Sequence, residues 1–300
     1  MASPTRRPLV FGEVLFDRFE DGGAVLGGAP FNVAWHLQGF GHAPLFVSRV
    51  GDDEAGRQIL DQMHAWNMDT RGVQIDSHHP TGSVNVRLRD GQPSYDIVPD
   101  QAYDHVAPEP LSALTSEIEC SLLYHGTLAA RQPISRDTLF GLTANGDLPV
   151  FVDVNLREPW WDTLLVERAL RGATWIKLND DELATLSDGD AYDLQAEAET
   201  LRRNAGARLL IVTRGAAGAC LADAAGLACL GPPPVHDVVD TVGAGDAFSA
   251  VVIFGLDHGW STSEILHRAL EFAAAICRQR GATAANPALY QRFMDQWSNG

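Results

Sequence analysis

The stretch Asp240-Thr241-Val242-Gly243-Ala244-Gly245-Asp246-Ala247-Phe248 joins a glycine turn, a carboxylate and the start of a long apolar run. From Ala247 to Leu256 the chain is rich in Ala, Val, Ile and Phe, which predicts a buried helix with its N-terminus at Gly243 to Asp246. The first amides of such a helix lack partners within it, and the helix dipole favours an anion beside them. The two glycines let a ligand come close to the backbone. A phosphate site next to one carboxylate suits phosphoryl transfer. Asp246 would take the proton of an attacking alcohol, while the amides at the helix N-terminus receive the developing charge. Asp also caps helix N-termini, and this nonapeptide alone leaves both roles open.

Composition bounds what surrounds that turn. Three hundred residues with 45% hydrophobic content suit one large α/β domain, or one domain with a small appendage. Acidic residues outnumber basic ones 39 to 22, giving a formal charge of -17, which argues against nucleic acid and anionic membranes as partners. Positive potential for an anionic substrate must come from helix N-termini and a few arginines. Cys120, Cys220, Cys229 and Cys277 form no CxxC pair and no metal-ligand spacing with His. They are expected to be buried thiols in a reducing compartment, with no structural disulfide. The apolar run Leu9 to Phe11 is too short for a signal peptide or membrane span, so a cytoplasmic location is expected.

Strand and helix patterns alternate along the chain. Strands are expected at Pro8 to Leu15, Pro44 to Val50, Ser121 to His125, Pro149 to Asp153, Thr174 to Lys177 and Arg208 to Thr213. Helices are expected at Pro30 to Gln38, Glu54 to Trp66, Arg136 to Thr143, Trp160 to Leu170 and Leu194 to Asn204. This rhythm predicts a mostly parallel sheet with helices on both faces and ligands beyond the carboxyl ends of its strands. Thr81 to His105 differs: it alternates, with a hairpin turn at Asp90-Gly91, and reads as an exposed β-ribbon. With strands from Val14 to Arg18 and Ala24 to Leu26 it would form a lid whose apolar face closes on substrate, pairs with another subunit's lid, or both. Pro232-Pro233-Pro234 is read as a rigid connection into a strand before Asp240.

Three ordered motifs, Gly27-Gly28-Ala29-Pro30-Phe31-Asn32, Asn179-Asp180-Asp181-Glu182 and Asp240 to Phe248, resemble those of the ribokinase-like, or PfkB-type, sugar kinases. Gly12 to Asp17, Val50 to Gly56, Asp153-Val154-Asn155-Leu156-Arg157 and Val212 to Gly218 extend the similarity over almost the whole chain. The resemblance implies a ribokinase-like three-layer α/β sandwich: one domain over residues 1–300, a mostly parallel central sheet, and a small β-sheet lid from segments near 14–26 and 81–105. It also implies that Asp246 is the base for a sugar hydroxyl and that Gly243, Ala244 and Gly245 form the anion hole.

The same resemblance assigns Asp17, Gly28 and Asn32 to the sugar site; alone, they read as a turn aspartate and a helix-surface asparagine. Thr213, Gly215 and Gly218 would line the ATP site. Asn179 and Glu182, three residues apart, would order water around Mg2+ near the phosphates, or simply complete a capping box. Lys177 would contact phosphate or be a solvated lysine. Arg157 would grip a phosphate or sugar oxygen, with a salt bridge to Asp153 or Glu158 as the competing account. Trp160 and Trp161 would form a wall of the site or pack in the core. Asp240 and the Gly281-Ala282-Thr283 turn fall where relatives bind a monovalent cation, so K+ is a further expectation. The late helix at Glu271 to Cys277 lacks the asparagine many relatives carry there, which leaves the adenine pocket unread.

The GExLxD opening, GGAPxN and DxNxR resemble the fructokinase branch, so the expected reaction is transfer from ATP to a primary hydroxyl of D-fructose. A 2-keto-3-deoxygluconate kinase is the nearest alternative and would need an arginine for the substrate carboxylate, Arg87, Arg89 or Arg157. A catalytically silent sugar or nucleotide binder is the non-enzyme alternative. No GxGxxG follows the first strand, which disfavours a dinucleotide oxidoreductase.

Overall fold

Arg7–Phe11, the first strand (β1), buries Leu9 and Phe11 in one apolar cluster and Val10 in another, so both of its faces must be covered. The computed structural model describes residues 6–89, 92–144, 146, 148–187, 193–233 and 237–298. After β1 come β2 (Leu15–Phe19), β3 (Ala24–Gly27), α1 (Ala29–Gly39), β4 (Leu45–Gly51), α2 (Glu54–Ala65), β5 (Val73–Asp76), β6 (Gly82–Arg89) and β7 (Gln92–Ile97). The middle of the chain adds α3 (Glu109–Glu117), β8 (Cys120–His125), α4 (Pro133–Thr143), β9 (Val150–Asp153), α5 (Thr163–Leu170), β10 (Trp175–Asn179) and α6 (Asp180–Leu186). Then follow α7 (Leu194–Ala205), β11 (Leu209–Thr213), β12 (Ala219–Asp223), β13 (Gly226–Leu230), α8 (Ala244–Asp257), α9 (Thr262–Ile276) and α10 (Pro287–Ser298).

Nine strands form the central sheet in the order β13-β12-β11-β10-β9-β8-β1-β4-β5. Pairing is parallel from β5 through β11, and the β11-β12-β13 edge is antiparallel. One face packs against α1, α8, α9 and α10 through Phe31, Leu37, Val251, Phe254, Phe272 and Tyr290. The other packs against α4, α5 and α7 through Leu139, Leu165, Val166 and Ala198. This is the three-layer α/β arrangement expected from the alternation.

A second, four-stranded sheet, β3-β2-β6-β7, is the lid. Val25, Asp17, Val84 and Ile97 stand in one cross-strand row, which puts them on one face. Leu15, Asp17, Val84, Tyr95 and Ile97 line the cleft, so the lid turns its apolar side toward the sheet. That side is only partly covered: Phe19, Val25 and Tyr95 are 41%, 45% and 53% exposed. The predicted Asp90-Gly91 turn lies outside the described residues.

Four expectations need correction. The first strand ends at Phe11, and Leu15 opens the lid strand instead, because the chain leaves the central sheet at Gly12-Glu13-Val14. Asp237 to Asp240 form no strand; the β12-β13 hairpin already closes that edge, and Val238 and Val239 lie exposed. Residues 234–236 of that connection lie outside the described set. Helix α5 starts at Thr163, capped by Asp162, whose Oδ1 accepts the Leu165 N–H at 2.8 Å, so both tryptophans precede it. Trp160 instead stacks under the Arg131 guanidinium, which supports the packing role. Cys220 and Cys229 are joined by a disulfide, against the expectation of free thiols. They face each other across the β12-β13 hairpin, a pairing their spacing alone did not reveal.

Candidate active site

The α8 residues Ala247 to Gly255 are all buried, as an apolar run without a polar stripe demands, and this fixes the N-terminus of the helix beside the sheet. Gly243 caps it with φ 79°, a left-handed conformation, and a Cβ there would collide with Ala282, so both backbone and packing require glycine. Ala244 N–H reaches back to Thr241 O at 3.3 Å. The N–H groups of Gly243, Gly245 and Asp246 have no acceptor among the described residues. Unpartnered amides at a helix N-terminus are donors an anion could use.

The cleft above this turn has a volume of about 450 Å3 and is lined by residues that lie far apart in sequence, including Glu13, Asp17, Gly28, Asn32, Arg157 and Asp246. Asp153, Lys177, Asn179 and Thr213, each the last residue of a parallel strand or close to it, form its floor. Asn32 Nδ2 donates to Asp246 Oδ2 at 2.7 Å. Gly28, with φ 108°, leads into α1 so tightly that a Cβ would lie 2.6 Å from the Glu13 carbonyl oxygen. This close approach places Asn32 on the first turn of α1, facing α8.

Burial raises three carboxyl groups here: Asp246 to about 6, Asp17 to about 6 and Glu13 to about 7. The Asn32 bond and the charges of Lys177 and Arg157 pull Asp246 the other way. Arg157 also favours the ionised forms of Asp17 and Glu13. Its guanidinium is exposed and has no ion-pair partner among the described residues, so the competing salt bridge to Asp153 or Glu158 is absent there. It is the cation available in the cleft.

Asp153 is instead the hub of a buried network. Lys177 Nζ donates to both its oxygens at 2.7 and 2.9 Å, and Tyr124 and Ser249 hydroxyls donate to Oδ2 at 2.9 and 2.7 Å. Lys177 Nζ would lie 3.5 Å from a Cβ on Gly245, so a paired, buried ammonium sits beside the glycine turn. Asn179 and Glu182 form a reciprocal capping box, and Glu182 Oε1 also accepts the Leu156 N–H at 3.0 Å. Asp240 binds the Val242 and Gly281 amides, both at 3.0 Å, which ties the glycine turn to the loop after α9.

A second cavity of about 600 Å3 opens on the other side of the turn and shares Thr213, Thr241 and Gly245 with the cleft. Gly215, Gly218 and Ala244 line it, as do Pro232, Val238, Leu270, Ala273, Ala274 and Cys277. Leu270, Ala273, Ala274 and the C-cap Cys277 share one face of α9, the late helix where the sequence left the adenine pocket unread, while Val238 comes from an irregular segment with no local signal. Glu13 and Asp153 stood inside quoted motifs, and a charged residue ending an apolar strand was the available sign.

A sheet flanked by helices, a lid, and a carboxylate at an amide-rich turn between two cavities define a phosphoryl-transfer enzyme of α/β class. The family model for pfkB family carbohydrate kinases matches residues 12–289, and the chain belongs to that family. It is 30% identical to fructokinase-2 of Zea mays over 304 residues, covering 92% of this chain and 90% of that protein. Among solved structures it superposes on a fructokinase with bound ATP from Xylella fastidiosa with TM-score 0.85 at 23% identity, covering 98% and 99% of the two chains. A double mutant of the fructokinase from Vibrio cholerae O395, in fructose, ADP and potassium ion bound form, gives TM-score 0.80 at 25% identity, with 97% and 99% covered.

Proposed function

We propose that this chain transfers the γ-phosphoryl group of ATP to a primary hydroxyl of D-fructose, giving fructose 6-phosphate. The observation that carries this reading is the Asp246 carboxylate, held by Asn32 at 2.7 Å beside the unpaired amides of the α8 turn. Asp246 takes the proton of the attacking hydroxyl, and the amides of Gly243, Gly245 and Asp246 stabilise charge on the phosphoryl group. Asp17, Gly28, Asn32 and Arg157 hold the sugar under the lid. Buried polar groups that need hydroxyl partners discriminate against ligands lacking them.

The apolar second cavity suits an adenine ring, with Thr213, Gly215 and Gly218 at the side nearest the cleft. Mg2+ fits the donor set at Asn179 and Glu182 through water, since both Glu182 oxygens already accept backbone amides. When bound, it would offset phosphate charge. Asp240 keeps free lone pairs beside the Gly281 turn, a donor set suited to K+. The half-covered lid face supports a homodimer through the lid. No helix among the described residues is long and apolar enough to cross a membrane. A cytoplasmic location matches the supply of ATP the reaction needs.

The free Arg157 guanidinium supports one second reading, a 2-keto-3-deoxygluconate kinase, in which it binds the substrate carboxylate. Of the other candidate arginines, Arg87 lines a separate groove near Trp160, and the Arg89 side chain lies outside the described residues. ADP release with Mg-ATP across fructose, 2-keto-3-deoxygluconate, ribose, adenosine and tagatose decides. The highest kcat/KM on fructose supports the first reading, and the highest on the keto acid replaces it.

A further inference from the structure

Outside the cleft, at the stem of the lid, His79, Asp100 and His105 bring three ligand atoms within 4.8 Å of one another. Asp100 Oδ1 lies 2.8 Å from His105 Nε2 and 3.7 Å from His79 Nε2. Donors on a tetrahedral ion with bonds of about 2.0–2.1 Å are about 3.3 Å apart, so these separations bracket that value. The two imidazoles stack with centroids 3.6 Å apart and planes 13° from parallel, so one ring must turn on ion binding for both in-plane nitrogen lone pairs to meet a single ion.

The surroundings favour a cation. His79 Nδ1 bonds the buried Asp76 Oδ2 at 3.0 Å, the carboxylate–histidine pairing that leaves the other ring nitrogen for a metal. Arg49 pairs with the same carboxylate at 2.8 Å, so its charge is already matched and Asp100 leaves the cluster net negative.

We propose that His79, His105 and Asp100 bind one Zn2+-class divalent ion, with water at the fourth position. The mixed nitrogen and oxygen donors suit zinc better than magnesium. His79 lies just before β6 and Asp100 just after β7, so the ion would clip together the two ends of the lid hairpin and restrain its opening.

Calorimetric titration of chelator-treated full-length protein with Zn2+ tests this, with Mg2+ as the control ion. One equivalent should bind per chain, His79→Ala and His105→Ala should each weaken binding by about tenfold or more, and the exposed His267→Ala should not. Asp100 is exposed, so Asp100→Asn offers a third variant with little risk to the fold, and matching metal-free melting curves exclude unfolding as the cause. Zn2+ should also slow amide exchange in β6 and β7 of the wild type alone. Absence of saturable Zn2+ binding, or its retention in both histidine variants, would overturn the proposal.

Discussion

Asn32 and Asp246, 214 residues apart, share a hydrogen bond of 2.7 Å that ties α1 to α8. The bond favours ionised Asp246 against the desolvation that lifts it to about 6. In Asn32→Leu that support is gone and the carboxyl titrates higher. The acid limb of kcat/KM should therefore move to higher pH than in the wild type, as pH-rate profiles will show. An unmoved limb would mean another group sets it.

Arg157 also favours the ionised carboxyls and is the cation free to meet a substrate. Arg157→Ala should raise KM for the preferred acceptor and shift the acid limb upward. If the acceptor is fructose, a single lost polar contact predicts a loss in kcat/KM of about tenfold, whereas loss of a charge pair to a keto acid costs about a hundredfold or more. Steady-state kinetics on both acceptors separates the cases.

Stability should run opposite to activity at Asp246. Its folded carboxyl is raised above its ordinary value, so the favourable term is present below the unfolded pKa near 4 and is lost as pH rises through about 6. Asp246→Asn removes the buried charge. The variant should melt several degrees above wild type at pH 8, with the gap closing near pH 4. Calorimetry at both pH values checks this.

The second cavity, proposed for the nucleotide, is shaped in part by the small residues Ala273 and Ala274. Ala274→Trp should fill part of the space lined by Ala273, Leu270 and Val238. KM for ATP should rise about tenfold or more while sugar binding, read by fluorescence or calorimetry without nucleotide, stays intact. Equal losses for both ligands would place the cavity elsewhere in the cycle.

The alternation of apolar strands and helices made the central sheet legible, because each β-α unit carries its own periodicity; β9, β10 and β11 fell within a residue or two of their expected places. The Asp240 to Phe248 turn was legible because glycine, carboxylate and buried helix meet within nine residues. Contacts between distant segments were not. Asp153 gathers Lys177, Tyr124 and Ser249 only once three strands and a helix converge. Cys220 and Cys229 became partners only through the β12-β13 register, and Pro232, Val238 and the α9 face at Leu270, Ala273 and Ala274 meet around the second cavity only in the folded chain.

The most direct test of Asp246 as the base is the steady-state kinetics of Asp246→Asn with saturating Mg-ATP and varied fructose. The amide keeps shape and a contact to Asn32 but cannot accept the proton. The expected result is kcat lower by about 10² to 10⁴-fold with KM for fructose within a few-fold of wild type. A variant retaining near wild-type kcat would contradict the assignment and leave Asp246 as a structural partner of Asn32, since the α8 cap is Gly243 and no Asp246 side-chain cap bond forms.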